Sequence, residues 1–253
     1  GRCSVVRKRC LKGSLALSSL VFVESSLHAL SGIYRNSIDR LISPSRFFIE
    51  KFKEWGWAGA PFSHIPNFAD VESLNPSFEP GKHFLYFGRL SKEKGLVTLV
   101  DAAAKSGVEL WLVGVGPMEE SLRRQAEATG AHVRFCGFQK GTALWDLVRG
   151  SRAVILPSEW YENAPLSILE AYACGKPALG ARIGGIPELI RPGETGDMFE
   201  SGNSDDLARA LRLYDQMLDS EVEAQGRQAR AWVKRDFTVQ RHVDRLIDAY
   251  RAT

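Results

Sequence analysis

Cysteine is scarce in this sequence: Cys3, Cys10, Cys136 and Cys174 are the four among 253 residues. A disulfide-stapled secreted domain is shorter and much richer in cysteine, so that class is excluded and a reducing compartment is expected. Cys136 and Cys174 lie in apolar stretches, where a buried reduced thiol is the natural state. An excess of one charge is also lacking. The 33 basic and 30 acidic residues leave +3, which does not mark a nucleic-acid binder. Long apolar runs are missing as well. The run LALSSLVFV at 15–23 ends at Glu24 and is too short to span a bilayer. Arg2, Arg7, Lys8, Arg9 and Lys12 precede it in the manner of a signal peptide. However, Leu11, Leu15, Leu20, Val23, Leu27 and Leu30 recur at roughly helical spacing, so an amphipathic helix is expected instead. Position 1 is Gly rather than Met, which leads us to expect lost sequence upstream. Internal repeats and low-complexity tracts are absent.

The chain is 44% hydrophobic and 25% charged, enough for one large domain or a domain plus a fragment. Residues 1–60 read mostly as helix, with Ser45 a cap and Gly56 a stop. Residues 62–70 read as a short apolar piece and a turn, and 75–82 as a loop. From there strands at 84–90, 108–116, 133–138, 152–158 and 177–181 alternate with helices at 95–107, 117–130, 141–151, 165–175 and 185–190. Such apolar strands are buried on both faces, so the fold class is α/β with a doubly wound parallel sheet. Helices fill the chain from Ser204 onward, two of them at 219–234 and 238–252.

In this architecture ligands bind beyond the carboxyl ends of the strands. After the first strand, GRLSKEKG places Arg89, Lys92 and Lys94 between glycines, a combination suited to a diphosphate or to a solvated loop. After the second, VGVGP holds Gly114 and Gly116, but Glu119 stands where a dinucleotide fingerprint needs its third glycine. After the third, Phe138 could face a nucleobase or the core. After the fourth comes EWYENAPLSILEAYACGKP. Pro165 fits the first turn of a helix, leaving the N–H groups of 166–168 free for an anion. Glu162 precedes that helix and Glu170 lies within it, with seven residues between them. A carboxylate beside a diphosphate needs hydroxyls to accept from, so Glu162 suits a hexose and Glu170 a ribose. Glu159 rivals Glu162 but sits eleven residues from Glu170. The bland reading makes both glutamates surface charges.

The ordered set GRLSKEKG, VGVGP, CGF, PSEWYENAPLSILEAYACGKP, IGGIPELI and GETG resembles the nucleotide-binding half of retaining glycosyltransferases of the GT-B fold, group 1 or family 4 type. IPNFAD at 65–70 is similar to that family's interdomain stretch. The resemblance implies a Rossmann-like domain over 63–235. It also implies a helical remnant of the acceptor domain at 1–62 and a crossover helix at 236–253. It assigns Arg89 and Lys94 to the diphosphate and Glu162 to the donor sugar, with Asn163, Ala164, Pro165 and Leu166 beside it. Glu170 would hold the ribose, and Gly88, Gly116 and Phe138 would line the donor site. The implied activity is retaining transfer from a UDP- or GDP-type sugar to a carbohydrate or lipid-linked acceptor, without metal or other cofactor. Its expected place is the cytoplasm. The basic start fits peripheral contact with the inner face of the membrane, or a solvated face on the interdomain side. Cys3 and Cys10 resemble the end of a cysteine-bearing insertion, as half of a zinc site or as free thiols. Three rival functions stand beside transfer: a donor-binding module inactive alone, a sugar-nucleotide epimerase and an NAD-dependent dehydrogenase.

Overall fold

The short apolar strands pair side by side in one direction. In a computed structural model describing residues 3–252, β1 (Leu41–Ser43) and β2 (Phe62–His64) form a small parallel pair. The next six strands are β3 (Phe84–Phe87), β4 (Leu110–Val113), β5 (Val133–Gly137), β6 (Ala153–Leu156), β7 (Ala178–Ala181) and β8 (Gly196–Phe199). They form one parallel sheet in the order β5-β4-β3-β6-β7-β8. Every residue of β6 and β7 is buried, as are Phe84, Leu85 and Tyr86 of β3, because helices cover both faces. Gly1, Arg2 and Thr253 lie outside the described residues, and with them Arg2's share of the basic start.

The helices are α1 (Cys3–Arg7), α2 (Leu15–Ser31), α3 (Ile33–Ser37), α4 (Arg46–Phe52), α5 (Leu96–Ser106) and α6 (Glu119–Thr129). After them come α7 (Gly141–Arg149), α8 (Leu166–Ala173), α9 (Ser204–Gln216), α10 (Asp219–Asp236) and α11 (Val239–Arg251). Strand order reverses between β3 and β6, so the loops after these two strands flank the crevice where such sheets bind ligands.

Several expectations need correction. The sheet has a sixth strand, β8, that the sequence GDMF does not advertise, since Gly196 and Asp197 are poor strand formers. Residues 41–43 and 62–64 are strands rather than helix and irregular chain. β2 pairs with β1 from Phe62 to His64. Pro165 is the N-cap of α8, with extended backbone, rather than its first helical residue. Pro117 likewise precedes α6, whose cap is Met118.

The early helix is present but differently clothed. Ser14 caps α2 by accepting from Leu17 N, and Gly32 ends it in the left-handed region. Ser18 is its one buried residue among those described. Leu20, Val23, Leu27 and Leu30 are all exposed, Leu30 at 84%. No described helix is long and apolar enough to cross a membrane.

Candidate functional site

The loop after β3 and the loop after β6 meet at the switch point. The short 3-10 turn Lys92–Lys94 carries Lys94 towards the β6 loop, where its Nζ lies 2.6 Å from Glu162 Oε1. Ser158 Oγ donates to that same oxygen at 2.7 Å. Both ionic partners are mostly shielded, which strengthens their attraction over that of a surface pair. The backbones are tied as well: Glu159 N donates to Glu93 O at 3.0 Å. Glu159 takes no part in the cluster; its carboxylate accepts from Thr98 of α5 at 2.5 Å.

From Glu162 the chain runs directly into α8. No side chain caps this helix, so the N–H groups of Leu166, Ser167 and Ile168 are available, and the positive end of the helix dipole points out with them. Glu170 lies further along, half-buried, and burial raises its carboxyl above the usual glutamate range. No described group donates a hydrogen bond to that carboxylate.

A cavity of about 350 Å³ opens beyond β3, β4 and β5. Its lining includes Gly88 and Arg89, Val113 to Val115, Phe138 and Leu144. Phe138 is 68% exposed and belongs to the cavity rather than the core. The buried Tyr86 hydroxyl donates to Arg89 O at 2.9 Å and fixes the turn that presents Arg89. Burial, followed by the charges of Glu162 and Glu93, holds that phenol protonated. The guanidinium of Arg89 makes no ion pair with any described residue. Gly116 stands behind the wall: a Cβ there would lie 2.2 Å from Leu90 O, so glycine permits the two loops to touch.

Lys94 and Glu162 are thus in contact, with Asn163, Ala164, Pro165 and Leu166 continuing the same loop into α8. Arg89, Gly88 and Phe138 share the neighbouring cavity. Glu170 and Gly116 do not line that cavity. Ser158, the fully buried partner of Glu162, was missed by sequence reasoning; its signal was its place four residues ahead of a strand-end glutamate. Val113, Gln139 and Leu144 were also missed as cavity residues. Cys3 and Cys10 are exposed and unpaired, and no cluster of three potential metal ligands surrounds them among the described residues.

The family model for glycosyl transferases group 1 matches residues 72–232. The sulfoquinovosyl transferase SQD2 of Arabidopsis thaliana is 33% identical over 165 residues, covering 58% of this chain and 32% of that protein. The GDP-mannose-dependent monoacylated alpha-(1-6)-phosphatidylinositol monomannoside mannosyltransferase of Corynebacterium glutamicum is 27% identical over 228 residues, covering 79% of this chain and 59% of its own length. Among solved structures, Anabaena Alr3699/HepE, in complex with UDP and glucose, superposes with a TM-score of 0.78 at 22% identity. That match covers 90% of this chain and 67% of the other. The latter likeness establishes the shared fold. The chain therefore spans 32% and 59% of the two curated relatives described.

Proposed function

This chain belongs to the group 1 glycosyl transferases, and on that premise we propose that it binds a nucleoside-diphosphate sugar between β3 and β6. In this reading it passes the sugar to an acceptor with retention of anomeric configuration. The carrying observation is the convergence of Lys94, Ser158 and Glu162 at the switch point, in the loop that opens α8.

Cleavage of the anomeric bond leaves negative charge on the diphosphate. Arg89, Lys94 and the open N–H groups of α8 are the groups that stabilise it, and they gain in strength as that charge develops. Glu162 accepts from hexose hydroxyls. Its bond to Lys94 lets one ammonium stay paired with the carboxylate while it meets the phosphate oxygens. Glu170 accepts from the ribose diol, and the lack of a described donor to its carboxylate supports that role. Phe138 offers a ring to the base at the mouth of the cavity.

The names of the relatives support GDP- and UDP-linked donors and a carbohydrate or lipid-linked acceptor. The cytoplasm remains the proposed compartment. Peripheral membrane contact through Arg7, Lys8, Arg9 and Lys12 is checked by sedimentation with anionic liposomes. The main test is titration calorimetry with UDP-glucose and GDP-mannose, paired with an assay for sugar release. Saturable binding that Arg89→Ala weakens at least tenfold supports the assignment; unchanged binding overturns it. Binding without turnover in this chain would favour the donor-binding module, since it spans a fraction of its curated relatives' length.

A further inference from the structure

Each of the four residues 161–164 is gripped from outside its own loop. Phe47 of α4 packs edge-on against Tyr161, with ring centres 4.9 Å apart. Gly185 N donates to Glu162 O at 2.7 Å. Ser45 Oγ donates to Asn163 Oδ1 at 2.5 Å. Asn67 Nδ2 donates to Ala164 O at 2.8 Å. Three of these grips come from the segment 45–67, which precedes the large sheet.

The fourth grip is linked to the same segment. Glu188, three residues after Gly185, accepts from Arg46 N at 2.9 Å and Phe47 N at 2.7 Å, and so caps α4. Ser45 caps that helix too, accepting from Phe48 N at 3.3 Å. Ser45 is 1% exposed. At Gly185 an added Cβ would stand 1.8 Å from Asn163 O and 3.0 Å from Ser45 Cβ, so the three residues are in close packing.

We propose that Ser45, Asn67 and Glu188 are positioning residues that set the Glu162–Ala164 backbone for the donor's sugar. None of them touches the substrate in this assignment. Each acts through the loop, and the inference rests on the functional reading above. Diphosphate contacts come from Arg89, Lys94 and the N–H groups at the start of α8, none of which is hydrogen-bonded to Ser45, Asn67 or Glu188. Loosening the tethers therefore costs sugar recognition while sparing the diphosphate.

The test is calorimetry on this chain with two ligand pairs, UDP-glucose against UDP and GDP-mannose against GDP. For the pair that wild type binds, the ratio of the two dissociation constants isolates the sugar's share. Ser45→Ala is expected to cut that share about fivefold, the scale of one lost hydrogen bond, with diphosphate affinity unchanged. Ser45→Thr, which keeps the hydroxyl, restores it. Asn67→Ala and Glu188→Ala are expected to cut it about twofold each, and they carry the test if circular dichroism shows Ser45→Ala unfolded. Folded variants with the wild-type ratio, or with equal losses for both members of a pair, overturn the proposal. Wild type that binds neither pair overturns the functional reading itself, and the inference falls with it.

Discussion

The sheet body and the leading helices treat apolar side chains in opposite ways. In the body, Leu85, Leu99, Leu112, Ile168 and Leu179 have no exposure, and helices α5 and α8 each turn most of their apolar residues inward. In α2, Leu20, Val23, Leu27 and Leu30 face out, and the buried residue is a serine that accepts from Leu11 N at 3.1 Å. Comparable hydrophobicity thus yields a core in one region and an uncovered face in the other. Burial follows from the partner an element meets, and the body supplies a layered sheet where α2 meets short helices.

The sharpest break of that contrast is a truncation within each region. Leu85→Ala is expected to cost about 2–5 kcal/mol in urea unfolding, through lost transfer energy and a residual cavity. Next is Arg230, whose guanidinium donates to Val71 O at 2.8 Å, Leu74 O at 2.9 Å and Ala173 O. Arg230→Ala strands these carbonyls and should lower stability by about 2 kcal/mol, read from the same curves.

Two pH effects, both confined to the body, rank below these. Lys176 is fully buried with its ammonium on Glu79 O at 2.6 Å, and burial lowers its pKa to about 8. Between about 8 and the ordinary lysine value the unfolded chain holds a proton the folded chain lacks, so stability rises with pH there. Below about 8 both states are charged and the burial penalty is complete. Lys176→Met should flatten that rise in melting temperature, and an unchanged profile would assign it elsewhere. Glu170 has its carboxyl raised by burial, and in the ribose-binding role proposed above only the ionised form would accept from both hydroxyls. Donor affinity should fall as pH drops through that raised value, a step absent in Glu170→Gln. The smallest change belongs to the leading helices: Leu27→Ala should shift stability by less than about 0.5 kcal/mol.

The alternation of apolar strands and helices made the parallel sheet legible, because runs such as FLYF and AVIL have no polar face to offer water. Three short strands escaped. LIS and FSH are too brief for periodicity to register, and GDMF starts with residues that favour turns. At the candidate site, glycines, cations and carboxylates after strand ends were visible as local chemistry. Ser45, Asn67 and Glu188 were not, since their contacts span 118, 97 and 142 residues of sequence and no local pattern encodes them.

The carbonyls gathered by Arg230 have a mechanical corollary. Val71 and Leu74 are clamped to α10 and to the end of α8, so this stretch travels with the sheet as cargo. Upstream, His242 Nδ1 sits 2.8 Å from Pro66 O, and Ala69 N donates to Phe237 O at 3.1 Å. The two passes of chain are therefore laced together at 66–69 and 237–242. A swivel of the 41–64 unit about that lacing would bend both passes at once and break the bonds of Ser45 to Asn163 and of α4 to Glu188.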